Sequence, residues 1–198
     1  MPSDRQDLRR QLMALAATQS GYFTAAQALK LGYSYPAQKF HADRGNWLRV
    51  DRGIFRIPEW PVGQHEDLVR WSLWARSKAA VSHETALAVH DLGVANPAVI
   101  DLTVPPRFRA RADGVRLHFA DLPQDDIEQR EGFRITTPLR TILDVAAGNT
   151  ELDELVAAVV DACERSPATK TNLLMRAEEF GPHAALRVER ALRHGELL

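Results

Sequence analysis

Polar and cationic side chains that can hold an anionic partner are concentrated between positions 34 and 52. They carry hydroxyl, amide, ammonium and guanidinium groups, on the residues Ser34, Tyr35, Gln38, Lys39, Arg44, Arg49 and Arg52. On a helix, hydroxyl and amide groups can read the edges of bases, and guanidinium groups can contact phosphate oxygens. The chemistry that this set favours is therefore nucleic-acid binding.

Three short helices and a hairpin are predicted to position these side chains. Leucines at helical spacing predict a first helix that ends before Gly21. Thr24 can cap the second helix, "AAQALKL". Ser34 can cap the third, which has Pro36 in its first turn and closes at Gly45. The runs "WLRV" and "IFRI", on either side of Asp-Arg-Gly, then predict a β-hairpin. This order is typical of a winged helix-turn-helix, whose third helix enters the major groove.

The third predicted helix must offer one face to bases and another to the core. Tyr35, Gln38 and Lys39 are expected on the exposed face, where their polar groups can reach base edges. Phe40 is expected in the core, and His41 is expected to be a packed histidine rather than a base reader. One alternative remains open, in which the bundle binds another protein and the arginines only protect an edge strand.

The charge distribution agrees with an anionic partner for the first part of the chain. Residues 1–62 carry nine Lys and Arg against five Asp and Glu, whereas the remainder carries sixteen against twenty-one. The net charge of −1 hides this asymmetry. Because so few cations cannot hold DNA tightly in one copy, we expect a monomer in solution to pair with a second subunit on DNA.

The prolines of "PEWP" mark a predicted boundary between two domains, residues 1–60 and 61–198. Beyond it, strand-like runs such as "AVIDLTV", "VRLHFA" and "FRIT" alternate with helical segments, and the chain from position 151 reads as helix. The predicted fold class is therefore α+β: an N-terminal winged helix-turn-helix, then a larger α/β domain with a small sheet and a helical C-terminus.

Composition indicates a cytoplasmic protein without a membrane partner. Cys163 is the only cysteine, so no intrachain disulfide can form and a reducing compartment is expected. No apolar run approaches the roughly 20 residues that a membrane span needs. The N-terminus lacks the apolar stretch of a signal peptide.

Searches for catalytic and cofactor motifs fail at the spacing that each would need. His83 and Glu84 resemble the start of H-E-x-x-H, but Leu87 stands where the second ligand belongs and His90 is about two turns away. A restriction-type nuclease needs Glu-x-Lys on the strand after Asp101, and "VRLHF" has neither residue. Glycine-rich phosphate loops are absent from the sequence. We expect no enzyme activity, no cofactor and no metal.

A second basic set occurs near the C-terminus, on Arg187, Arg190 and Arg193. Two interpretations stay open for it. It is either a solvated helix face or a surface that meets a protein partner or that partner's RNA substrate.

Four segments are similar to those of one known family. The stretch "GYFTAAQALKLGYSYPAQKFHADRGNWLRVDRGIFRI" resembles the N-terminal domain of AbiEi-type antitoxins and related transcriptional regulators. "VSHETALAVHDLG", "IDLTVP" and "FRITTPLRTILDVA" resemble the segments that follow in that family. The resemblance covers roughly residues 5–150, and its most specific piece is "GNWLRVDRGIFRI".

The resemblance implies a function for both domains. AbiEi-type proteins pair with a nucleotidyltransferase-like toxin, repress their shared operon through the winged helix and neutralise the toxin through the C-terminal domain. In many members neutralisation does not depend on a stable complex. Two alternatives remain: a stand-alone winged-helix regulator whose second domain dimerises or senses a ligand, and an adaptor with no role on DNA.

Overall fold

The computed structural model describes residues 5–165 and 168–196, and the fold is α+β. The chain divides into two compact units. The first contains the residues up to Lys78 together with Arg130–Phe133, and the second contains Ala79–Gln129 and the residues from Arg134 onward. The first unit thus extends beyond residue 60, where the sequence suggests a boundary. No helix in the described part is long and apolar enough to cross a membrane.

The first unit combines four helices with a small antiparallel sheet. Its elements are α1 (Arg5–Ala17), β1 (Tyr22–Thr24), α2 (Ala25–Leu31), α3 (Tyr35–Asp43), β2 (Leu48–Asp51), β3 (Ile54–Arg56) and α4 (Glu66–Trp74). The strand order is β1-β3-β2, with Phe23 opposite Phe55 and Arg49 opposite Phe55 on the other side. The three helices and the hairpin agree with the sequence prediction. β1 does not, because three residues are too few for a recognisable alternation.

Capping residues explain why α2 begins and ends where it does. Thr24 Oγ1 accepts a hydrogen bond from Gln27 N at 3.1 Å, and Thr24 N donates to Gln27 Oε1 at 2.7 Å. This reciprocal pair satisfies backbone donors that the first helical turn leaves free. At the other end, Gly32 has a φ of 112°, a left-handed conformation that glycine adopts without steric cost.

Aromatic rings fill the core of the first unit around Trp47, which is only 5% exposed. Its ring centroid lies 4.9 Å from that of Phe23 and 5.1 Å from that of Tyr33. The Phe55 ring is 5.5 Å away. Leu12 of α1 is also buried in this cluster. The hairpin and the helices therefore share one core.

The second unit packs helices with a five-stranded mixed sheet. Its elements are β4 (Ala80–Val81), α5 (His83–His90), β5 (Ile100–Val104), β6 (Val115–Phe119), β7 (Ile127–Gln129), β8 (Arg134–Thr136), α6 (Pro138–Ala147), α7 (Leu152–Glu164), α8 (Lys170–Ala177) and α9 (Pro182–His194). The strand order is β6-β5-β4-β8-β7. β5 runs parallel to β6, and β4 runs parallel to β8, while the other neighbours are antiparallel.

The α6 helix is the centre of the helical core in the second unit. Thr137 caps it by accepting a hydrogen bond from Arg140 N, and Pro138 occupies its first position. Ile142 and Leu143 are fully buried in a cluster that also holds Leu155 of α7 and Leu192 of α9. The C-terminal helices thus fold against α6.

Gly21 and Gly45 have similar backbone conformations but different surroundings. Alanine substitutions at the two positions therefore distinguish a steric clash from backbone strain. Gly21 and Gly45 have φ values of +82° and +72°, but a Cβ atom on Gly21 would lie 2.3 Å from Trp60 Cγ, whereas one on Gly45 would meet nothing within 4 Å. We expect Gly45→Ala to lower the free energy of unfolding by about 1 kcal/mol and Gly21→Ala to lower it by about 3 kcal/mol. Urea unfolding followed by tryptophan fluorescence measures both. Equal losses would contradict the packing of Trp60 on Gly21.

Candidate nucleic-acid interface

The exposed side of α3 begins at its cap. Ser34 Oγ accepts a hydrogen bond from Ala37 N at 3.4 Å, so the hydroxyl is used to start the helix, as the sequence predicts. Tyr35 follows with 64% of its surface exposed. Lys39 lies one turn further on and is also exposed. These three residues stand where the prediction places them.

Gln38 is not on the exposed side, so the prediction that it reads bases is wrong. Its side chain is 3% exposed. Its Nε2 donates to the carbonyl oxygen of Ala25 at 3.0 Å and to that of Tyr33 at 2.9 Å. A buried amide is stable when its donors are satisfied in this way. Gln38 therefore ties α3 to the start of α2 and to the turn between the two helices.

Phe40 is also placed differently, because it is 53% exposed and not in the core. The neighbouring residue, His41, faces the core instead. The guanidinium carbon of Arg44 lies 5.2 Å from the centroid of the Phe40 ring, a cation–π arrangement. The exposed surface of α3 is consequently more aromatic than the sequence suggests.

His41 is a packed histidine, as predicted. Its ring stacks on Trp47 with centroids 4.8 Å apart and an angle of 17° between the planes. Burial lowers the pKa of His41, so that its ring is neutral at pH 7. Asn46 Nδ2 lies 3.2 Å from His41 Nδ1, at the start of the hairpin. The end of α3 is thereby joined to the residues that lead into β2.

The hairpin places Arg52 at its tip. Asp51 Oδ1 accepts a hydrogen bond from Arg52 N at 2.5 Å, and Gly53 follows with a φ of +72°. The pairing of β2 with β3 shifts register between Arg49 and Asp51, which is a bulge. Arg49 is exposed, with its guanidinium carbon 5.4 Å from the centroid of the Phe55 ring.

The cations of this region differ in whether they are already neutralised. Lys39 Nζ lies 2.5 Å from Asp43 Oδ2, but both side chains are exposed, so the pair contributes under about 1 kcal/mol and opens readily. Arg44, Arg49 and Arg52 pair with no carboxylate anywhere in residues 5–165 or 168–196. Three guanidinium groups are therefore available to an anionic ligand, one at the end of α3 and two on the hairpin.

The three arginines of the predicted C-terminal basic face have different partners in the structure. Arg187 is not available, since its Nη1 donates to the carbonyl oxygen of Gly148 at 2.6 Å and its Nη2 donates to that of Thr150. It holds the end of α6 and the turn that follows. Arg193 pairs with Glu189 at 2.5 Å on the exposed surface. Arg190 is exposed and makes no such contact within the described chain.

A polar cluster in the second unit has no counterpart in the sequence prediction. Asp101 is completely buried, and its Oδ1 lies 2.8 Å from His118 Nε2. His118 stacks on His83 with ring centroids 3.4 Å apart, and His83 Nδ1 lies 3.0 Å from Ser82 Oγ. Burial is the main cause that lowers the pKa of His83 to about 3. Polar residues at alternate positions in "IDLTV" and "VRLHF" were the signal available.

The polar cluster holds β5, β6 and α5 together and does not form a metal site. Thr103 Oγ1 donates to Ser82 Oγ at 2.8 Å, and Arg116 Nη1 lies 3.3 Å from Asp101 Oδ1. His83 has a φ of +53°, which is unusual for a residue with a side chain. In the part of the chain that the structure covers, no three His, Cys, Asp or Glu residues are grouped to hold a metal ion.

Two more arginines are paired with carboxylates in a second buried network. Arg140 donates to Asp126 Oδ2 at 3.0 Å and to Asp144 Oδ1 at 2.9 Å, and Arg176 donates to Asp126 Oδ1 at 2.7 Å. Burial raises the pKa of Asp144 to about 6, against the opposing effect of Arg140. The Arg140–Asp144 pair is thus buried and belongs to a larger network.

Arg187 and Arg190 are both arginines of α9, but only Arg187 contacts carbonyl groups in the described part of the fold. Alanine substitutions at the two positions therefore compare a structural arginine with a surface arginine. We expect Arg187→Ala to lower the free energy of unfolding by about 2 kcal/mol, because several carbonyl oxygens lose a charged donor. Arg190→Ala should change it by less than about 0.5 kcal/mol. Urea unfolding measures both. Equal effects would show that the Arg187 contacts do not stabilise α6.

Comparison with known proteins gives a likeness of fold. No family model matches the sequence, and no curated protein matches it. The crystal structure of the RV2827C protein from Mycobacterium tuberculosis is similar, with a TM-score of 0.63 and 15% sequence identity. The match covers 94% of this chain and 76% of that chain. At this identity the two proteins share a fold, and the likeness carries no residue roles.

Proposed function

We propose that the first unit is a winged helix-turn-helix domain that binds operator DNA. The order of its elements supports this, because two helices and a connecting strand precede α3 and the β2–β3 hairpin follows it at once. The sheet order β1-β3-β2 leaves β2 at an edge, which is compatible with the hairpin serving as a wing. In such domains the third helix enters the major groove and the wing contacts the backbone.

One observation carries the proposal: α3 exposes polar and aromatic side chains, and three guanidinium groups that are unpaired within the described chain lie at its end and on the hairpin that follows. Arg44 follows the helix, and Arg49 and Arg52 lie on the hairpin. Phosphate contacts of this kind fix the register of a protein on DNA, and the bases are then read by the helix. The alternative, in which the arginines only protect an edge strand, does not explain why α3 exposes polar and aromatic side chains.

The residues proposed to read bases differ from those that the sequence indicates. Tyr35 and Lys39 keep this role, with Ser34 at the start of the helix, and Gln38 loses it because it is buried. Phe40 joins the exposed set, where an aromatic ring can contact the methyl group of thymine. A small set of contacts per subunit favours two subunits on a two-fold site.

For the whole chain we propose an AbiEi-like antitoxin that represses its own operon and neutralises a nucleotidyltransferase-like toxin. The support for this part is the sequence resemblance, together with a second unit that has its own core. Arg190 and Arg193 remain candidates for neutralisation, and Arg187 is withdrawn because of its structural contacts. Two alternatives remain: a stand-alone regulator whose second domain dimerises or senses a ligand, and an adaptor with no role on DNA.

DNA binding is expected to depend on the hairpin and on α3 in different ways. Arg49→Ala and Arg52→Ala should weaken binding to every sequence and reduce the salt slope by about one each, because each removes a phosphate contact. Lys39→Ala should cost roughly 1–3 kcal/mol on the operator and relax sequence preference. Fluorescence anisotropy with the upstream DNA and with a scrambled duplex measures these effects.

Arg193→Ala serves as the control, since it removes an exposed arginine of the second unit. It should leave the affinity for the operator unchanged. No difference between operator and scrambled DNA for the wild-type protein would sink the proposal of a specific operator. A loss caused equally by Arg193→Ala would show that only net charge matters.

Repression and neutralisation should separate in the full-length protein. Arg49→Glu with Arg52→Glu should abolish repression and leave the rescue of toxin-expressing cells intact, because both positions lie on the hairpin. Arg190→Glu with Arg193→Glu should do the reverse. A promoter–reporter assay and growth with co-expressed toxin give the two measurements, with protein levels checked. Failure of the hairpin variant to rescue growth at a normal protein level would contradict this division.

A further inference from the structure

A cavity of about 780 Å³ that is open to solvent lies in the first unit, between α1 and the inner side of α3. Its volume is in the range of sites that bind small molecules. α1 contributes Leu8, Leu12 and Met13, and the chain that leaves β3 contributes Ile57 and Trp60. None of the DNA-facing residues proposed above lines this cavity.

Aromatic side chains line part of the cavity, and their rings are held in place by neighbouring groups. Tyr33, His41 and Trp47 line it and pack on one another, with the Tyr33 and Trp47 centroids 5.1 Å apart. Trp60 rests on Gly21, and its carbonyl oxygen accepts a hydrogen bond from Arg56 at 3.0 Å. A pre-formed aromatic wall favours a flat aromatic ligand, because stacking needs little rearrangement.

The charges around the cavity favour a negative ligand. Arg5 and Arg9 lie one turn apart on α1, and neither pairs with a carboxylate among the residues that the structure describes. Burial raises the pKa of the Tyr33 hydroxyl, and the positive charge of Arg9 partly offsets this rise. Glu59 is the one acidic side chain in the lining, so two cations face a single anion.

We propose that this cavity binds a flat aromatic carboxylate, with its ring against Trp60 and its carboxylate near Arg9. The combination of aromatic walls and unpaired guanidinium groups selects this class over an aliphatic or a cationic ligand. The site goes beyond the proposed DNA binding and needs no DNA to be tested. Failure of one proposal therefore leaves the other intact.

Isothermal titration calorimetry of the full-length protein tests the site with 2-naphthoate and with its uncharged analogue 2-naphthamide. We expect 2-naphthoate to bind one site with a Kd of about 0.1–1 mM, and 2-naphthamide to bind more weakly. Arg9→Gln should weaken 2-naphthoate binding about two- to fivefold, and Glu59→Gln should strengthen it by a similar factor. Neither change should alter the affinity for 2-naphthamide.

Arg10→Gln is the matched control, because Arg10 neighbours Arg9 on α1 but pairs with Asp7 and does not line the cavity. It should leave both affinities unchanged. Trp60→Leu, with its fold checked by circular dichroism, should weaken both ligands about tenfold. Absence of saturable heat with 2-naphthoate overturns the proposal. Equal effects of Arg9→Gln and Arg10→Gln, or opposite signs to those expected for Arg9 and Glu59, overturn it as well.

Discussion

The burial of Trp47 is the constraint on which the first unit depends. Trp47 follows α3 and precedes β2, so any position that it adopts fixes the helix and the hairpin together. Its ring packs against Phe23, His41 and Phe55, which belong to β1, α3 and β3. Loss of a buried tryptophan of this kind typically costs 3–5 kcal/mol. The exposure of Tyr35 and the hairpin arginines is a consequence of this packing.

Several arginines of the second unit are used in buried contacts, whereas Arg49 and Arg52 on the hairpin of the first unit are exposed. In the second unit Arg140, Arg176 and Arg187 are consumed by buried carboxylates or carbonyl groups. In the first unit an aromatic core supplies the stability, and Arg49 and Arg52 stay unpaired on the hairpin within the described chain. The N-terminal excess of cations therefore includes guanidinium groups that are available, and available charge is what governs attraction to phosphates.

Local chemistry was readable from the sequence, and tertiary placement was not. Thr24 and Ser34 cap their helices as predicted, because a cap depends on residues three positions away. Phe40 and His41 differ by 100° around α3, and only the position of Trp47 decides which of them is buried. Gln38 and Arg187 have long polar side chains that can lie on a surface as well as in a buried hydrogen-bonded position. Their burial follows from carbonyl groups elsewhere in the fold, which helical spacing does not reveal.

The two sides of α3 connect the proposed DNA contact with the cavity. Tyr35 and Lys39 are on the outer side, whereas Ala37 and His41 line the cavity on the inner side. If α3 can occupy two positions, a ligand that binds the cavity more tightly in one of them must raise the population of that position. The shift cannot exceed the difference between the ligand's affinities for the two positions. Linkage then requires DNA and ligand to alter each other's affinity by the same factor. Because His41 also stacks on Trp47, a movement of α3 would be transmitted to the hairpin, and both elements that are proposed to contact DNA would respond together.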